Sequence, residues 1–132
     1  MFRDPNYSNL LFFRILADEQ RVLHFSTTRT GGVSRGNFRS LNLGNYSDDD
    51  PLNIFENRSI VARKFYKEAN DLITPHQTHG NRVLLIDAAF LDLPNAEKLE
   101  RLYGYDASIT REKGFFLCVT TADCVPLLLF DR

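Results

Sequence analysis

The sequence predicts a single domain that mixes helices with strands, and three observations carry that expectation. At 132 residues, 43% of them hydrophobic, the chain has material for one core and one domain. Short apolar runs of strand length are bounded by Gly, Asn, Asp and Ser. One longer amphipathic stretch opens on an Asp-Pro pair, a helix-start signal. No internal repeat, heptad or interdomain linker interrupts the chain.

Leu10 to Leu16 is apolar apart from Arg14 and reads as a strand. A polar turn at 17–20 leads to Arg21–Ser26, a second strand with Leu23 and Phe25 on one face and Val22, His24 and Ser26 on the other. The two are expected to form a hairpin, with His24 a solvated or hydrogen-bonded histidine. Residues 27–38 are rich in Gly, Ser and Thr and read as a loop. Gly31 and Gly32, beside hydroxyls and arginines, could bring backbone N–H groups to an anion such as phosphate. The spacing of a P-loop is absent, and a surface turn needing positive φ at glycine is the simpler reading.

Asp50 and Pro51 predict an N-cap and first helical residue, with the helix running to about Ala69. Its stripe is Ile54, Val61, Phe65 and Ala69, widened by Phe55, Ala62 and Tyr66. Arg58 falls inside that stripe, so it either snorkels to the rim, the commoner outcome, or points into a polar site. Pro75 and Gly80 oppose a helix around His76 and His79, and an extended segment aims the two rings to opposite sides. Val83–Ile86 reads as a strand, a short helix follows Pro94, and Ala107–Thr110 is a brief strand. Phe115–Val119 and Leu127–Phe130 read as two more strands flanking a small-residue corner, Thr120–Pro126.

Lys and Arg number 16 against 17 Asp and Glu, a net charge of −1, which offers no electrostatic argument for nucleic acid or an anionic membrane. No apolar run reaches the length of a membrane span, and Met1–Asn6 does not read as a signal peptide. Cys118 and Cys124, six residues apart in apolar sequence, read as reduced thiols, so the expected compartment is the cytoplasm.

The chemistry concentrates in the corner, where Asp123 and Cys124 stand side by side. Thiolate and imidazole are strong zinc donors, and a catalytic zinc needs three protein ligands with one open position. His79 and Cys124 could supply two of them. The same pair could form a metal-free nucleophile and base. A third reading leaves Cys124 a small buried residue.

Four segments together resemble the YfiH/laccase-domain family, bacterial proteins once called multicopper polyphenol oxidases and associated with purine nucleoside phosphorylase activity. They are Ser26–Ser34; Ser40–Gly44 followed by Asn57-Arg58; Gln77–Gly80; and Asp106–Thr110 leading into Thr121–Pro126. The resemblance implies an α+β fold of mixed β-sheets, a β-sandwich flanked by helices, incomplete in this chain. It implies zinc bound by two histidines and a cysteine, which here matches His79 and Cys124 and leaves out His76. The implied reaction is phosphorolysis of purine nucleosides (adenosine, methylthioadenosine, inosine), with adenosine deamination as a second activity. Within it, Arg29 and Arg58 suit anion positioning, Asn42 substrate binding, and Asp123 base contact or proton transfer.

The family's third ligand comes from an Ala-His-Ala-Gly-Trp-Arg-Gly segment that this sequence lacks, as it lacks any Trp. The chain is therefore expected to be an N-terminal portion of a longer domain, to bind zinc weakly and to be inactive alone. An incomplete sheet is expected to leave a strand edge open to self-association. Two other readings stand: a metal-independent Cys/His hydrolase, and a non-catalytic binding module with a vestigial site. One thiolate and a few scattered histidines cannot build a multicopper cluster.

Overall fold

In the computed structural model, which describes residues 1–2, 7–121 and 123–131, the chain divides into two units, Met1–Ala69 and Asn70–Arg132. In the first, strands β1 (Leu10–Leu11) and β2 (Ser26–Thr27) pair antiparallel, with Leu10 opposite Thr27. The expected hairpin is thus present but shorter than its apolar runs. One reason is that the Phe13 N–H goes to Nε2 of His24 at 2.9 Å instead of to a ladder carbonyl. His24 is accordingly a hydrogen-bonded histidine, its ring edge-on to Phe12.

Helix α1 (Pro51–Ala62) begins as its sequence dictates, the Asp50 carboxylate accepting the Leu52 N–H at 2.9 Å. It ends at Ala62, not at Ala69. Residues 63–65 tighten into a 3-10 turn, and Tyr66 takes the left-handed conformation at φ 56°. The Lys67 N–H then bonds the Ala62 carbonyl and the Tyr66 N–H that of Arg63, the two bonds of a Schellman stop. Tyr66 therefore leaves the expected stripe and is 98% exposed, and Phe55 is exposed as well. Leu10, Leu41, Ile54, Val61 and Ala62 are buried, and Phe65 stacks on Phe25 at 4.8 Å.

The second unit is built on two parallel pairs. Strand β3 (Leu72–Ile73) lies beside β6 (Phe116–Leu117), with Leu72 opposite Phe116. Strand β4 (Val83–Ile86) lies beside β5 (Ala107–Thr110), with Val83 opposite Ala107. Alternation along β4 buries Leu84 and Ile86 and leaves Val83 and Leu85 exposed. Helix α2 (Ala88–Leu91) is capped by the Asp87 carboxylate and buries Phe90, and α3 (Asn95–Arg101) follows Pro94 as expected.

The strand expected at Leu127–Phe130 does not form; Leu127 and Leu129 stay exposed. These residues join no ladder among the described residues, and an extended run without one does not hold as a strand. No helix among the described residues is long and apolar enough to cross a membrane. Small antiparallel and parallel sheets with short helices make this an α+β chain, consistent with part of the fold the resemblance implies.

Candidate functional site

Two constellations carry the chemistry, one in each unit. In the second, the parallel course of β3 and β6 sends residues 74–80 and 118–121 out in the same direction. Paired residues there stand 44 positions apart, and the Cys118 N–H continues the pairing onto the Ile73 carbonyl at 2.8 Å. Beyond it, Oε1 of Gln77 accepts both the N–H and the hydroxyl of Thr120 at 2.8 Å, a separation of 43. His79 lies two residues past the first partner and Cys124 four past the second, so the histidine and cysteine segments are tethered to each other.

His79 sits in the left-handed region at φ 60°, which costs a non-glycine residue about 1–2 kcal/mol. The Asp106 carboxylate, directly before β5, holds that turn. It accepts the N–H groups of Thr78 (2.7 Å), His79 (2.6 Å) and Gly80 (2.9 Å) and faces the Thr78 hydroxyl at 3.3 Å. Desolvation pushes the Asp106 carboxyl up, but the Gly80, Thr78 and His79 N–H groups outweigh it and hold it below the ordinary carboxylate value. Asp106 thus fixes the backbone while leaving the exposed imidazole of His79 to other partners. His76, by contrast, stacks on Tyr103 at 4.3 Å, and its N–H bonds the Leu102 carbonyl.

Asp123 and Cys124 lie in an exposed bend, the Cys124 thiol being free; Ala122 of the same motif lies outside the described residues. Imidazole and thiolate are donors that zinc accepts. Among the described residues, however, no three His, Cys, Asp or Glu side chains gather into a metal-holding group. The donor types fit zinc, but their number falls short of a complete site.

In the first unit, residues 29–36 with Arg39 and Ser40 line a groove of about 740 Å³. Arg29 is exposed, and its guanidinium donates to the Arg39 carbonyl at 3.1 Å. The wall behind it depends on Gly32: a Cβ there would run into the Ser40 carbonyl, the Leu41 Cα and the Asn57 amide oxygen. Asn57, fully buried at 0% exposure, locks this contact. Its Oδ1 accepts the Val33 N–H (2.8 Å), and its Nδ2 donates to the Ser34 hydroxyl (2.8 Å) and the Asn42 carbonyl (2.9 Å).

Asn42 spends its own amide inside the adjoining loop, donating to Ser47 and Asp49 and accepting from Gly44. The Ser34 hydroxyl bonds Asp49 at 2.6 Å and holds its carboxyl below the ordinary value against desolvation, with Asn42 helping. Arg58 does not snorkel. It is 5% exposed and donates Nη1 to the Leu43 carbonyl at 3.0 Å, because the 42–47 loop folds over that face of α1.

Sequence reasoning assigned no role to Asp106, Gln77 or Asn57. Each acts on backbone far away in the chain; periodicity carries no trace of that, and the one sequence signal was that all three stand in the segments that bear the resemblance.

A family model described as multi-copper polyphenol oxidoreductase laccase matches residues 23–132. A protein named purine nucleoside phosphorylase from Bacteroides thetaiotaomicron is 39% identical over 123 residues, 93% of this chain and 46% of that protein. One named adenosine deaminase RL5, from an unknown prokaryotic organism, is 40% identical over 107 residues, 81% of this chain and 41% of its own length. Purine nucleoside phosphorylase YlmD of Bacillus subtilis is 33% identical over 114 residues, 86% and 41% respectively. The chain spans less than half the length of these curated relatives.

Proposed function

This chain belongs to the multi-copper polyphenol oxidoreductase laccase family, and we propose that the whole protein is a purine nucleoside phosphorylase with adenosine deaminase activity. The relatives' names support the reaction class, and one observation supports the site: the tether between Gln77 and Thr120 that runs the His79 and Cys124 segments side by side. In this reading His79 and Cys124 are two ligands of a zinc ion whose third donor lies outside the described residues. Zinc, when bound, supplies a Lewis acid that lowers the pKa of a water for deamination.

The chain's own residues do the remaining work. Asp106 holds the backbone of the His79 turn, so less has to be ordered when the ring takes a partner. Asp123, exposed beside Cys124, serves base contact or proton transfer. Arg29 positions phosphate. Asn42 and Arg58 act at the substrate through the 42–47 loop that they pin in place.

The test is phosphate-dependent release of adenine from adenosine, measured on this chain and on a protein of the relatives' length containing it. Activity is expected in the longer protein, with zinc at one per chain, and both are expected to be lost in Cys124→Ala and His79→Ala. This chain alone is expected to hold zinc weakly and to be inactive. Adenosine turnover by a zinc-free Cys124→Ala protein sinks the proposal. The same tether would serve a metal-free hydrolase with Cys124 as nucleophile and His79 as base. Activity that survives chelation but not loss of Cys124 selects that reading.

A further inference from the structure

We propose that Arg35 and Arg39, together with Arg29, make the first unit's groove a binding site for a phosphate group. The proposal deepens the phosphorylase reading and rests on it only for where that phosphate comes from. Three arginines stand in the groove lining with no carboxylate among them, in a chain whose net charge is −1. Neither Arg21–Glu19 nor Arg63–Glu56, ion pairs among the described residues, includes any of the three. All three are exposed, the Arg29 guanidinium bonds a neutral carbonyl, and the carboxylate next to the lining, Asp49, is engaged by the Ser34 hydroxyl. Like charges held together raise each other's free energy, and an anion between them removes that cost.

The walls are fixed in advance. Arg29's carbonyl accepts the N–H groups of Ser40 and Leu41, and the Ser34 N–H bonds the Ser40 carbonyl. Asn57 and the missing Cβ of Gly32 lock these segments from behind. A preformed concave surface loses little entropy on binding. Planar guanidinium forks match two oxygens of one phosphate; the Thr30 hydroxyl, paired with that of Thr28, stands in the same lining, while the Ser40 hydroxyl is spent on the Arg29 carbonyl. At about 740 Å³ the groove falls within the range of small-molecule pockets, with room for a sugar-sized substituent on the phosphate. Arg39 and Arg35 are thereby placed on the substrate side of the loop; Arg58, buried on the Leu43 carbonyl, is not.

The experiment is a ³¹P NMR titration of the 132-residue chain with inorganic phosphate and, separately, with a pentose 1-phosphate. The Arg35→Gln/Arg39→Gln double variant is expected to weaken both by about tenfold or more, a loss of about 1.4 kcal/mol. Arg111→Gln, which removes an exposed charge from the other unit, is expected to change neither beyond about twofold. Tighter binding of the pentose phosphate supports a sugar phosphate as occupant, and equal binding supports the free ion. No binding by the unaltered chain overturns the proposal, and so does equal weakening in Arg111→Gln, which marks unspecific charge attraction. Circular dichroism and a thermal melt check that the double variant folds. Phosphate binding without phosphorolysis in the longer protein would defeat the enzymatic reading and leave the groove standing. Phosphorolysis with unchanged phosphate dependence in the double variant would do the reverse.

Discussion

Replacing Asn57 by alanine tests the joint on which the first unit's loops depend. The side chain is fully buried and makes three hydrogen bonds of 2.8 to 2.9 Å, to Val33, Ser34 and Asn42. Alanine removes all three and leaves the Val33 N–H and the Asn42 carbonyl facing a small void. The Ser34 hydroxyl keeps its bond to Asp49 and suffers least. A buried polar group left without a partner costs about 1–3 kcal/mol, so two of them give about 3 kcal/mol. In urea unfolding, with a slope of about 2 kcal/mol per molar, the midpoint is expected to fall by about 1.5 M. In a thermal melt the same loss corresponds to roughly 10 °C for a chain of this size. Asn57→Asp keeps the volume but turns a carboxylate oxygen toward the Asn42 carbonyl, and is expected to cost at least as much. A midpoint shift of less than about 0.25 M at an unchanged slope in both variants would refute the reasoning, since a mere packing residue need not care which polar atoms it carries.

Other outcomes follow from single features of the structure. In Asp106→Asn the amide nitrogen takes the place of one acceptor oxygen, so hydrogen exchange at Thr78–Gly80 is expected to quicken, while unchanged protection would show that the turn holds itself. Tyr66→Gly is expected to stabilise by about 1 kcal/mol in chemical denaturation, because a left-handed residue with an exposed ring gives up strain and loses no packing. Asp49 and Asp106 both have folded-state values depressed below the ordinary 3.8, so their contribution is present above that pH and is lost as pH falls through the depressed values. Stability measured from pH 5 downward is expected to fall less steeply in Asp49→Asn; an equal slope would remove Asp49 from the account. Each of the three sheets has two strands among the described residues, which supports self-association through a strand edge. Light scattering that finds only monomer across a concentration series would count against it.

The parts of this protein that were legible in its sequence are those decided within a few residues. Asp50 and Pro51 start α1 because a carboxylate two residues from an N–H caps it whatever the rest of the chain does. The helix after Pro94 and the strands at 83–86 and 107–110 follow in the same way from proline geometry, a short apolar run and apolar alternation. Donor type put histidines and cysteines forward, and the family resemblance singled out His79 and Cys124 among them. Where α1 stops was not legible, because Tyr66 fills a left-handed position in which glycine is the usual marker. Nor was the failure of Leu127–Phe130 to form a strand, since apolar residues alone do not supply a pairing neighbour.

The site shows the same division more sharply. Sequence determined which atoms are on offer: an imidazole, a thiol, a carboxylate beside it, and arginines around a glycine pair. Tertiary structure decided where they stand, by parallel pairing that joins Gln77 to Thr120 and by the Asp106 clamp on His79. It also turned Arg58 inward onto Leu43 and left Arg29, Arg35 and Arg39 facing solvent in one groove. The physical reason is range. Caps and periodicity act over one turn of chain, whereas hydrogen bonds between residues 15 to 43 positions apart exist only once the backbone has brought them together.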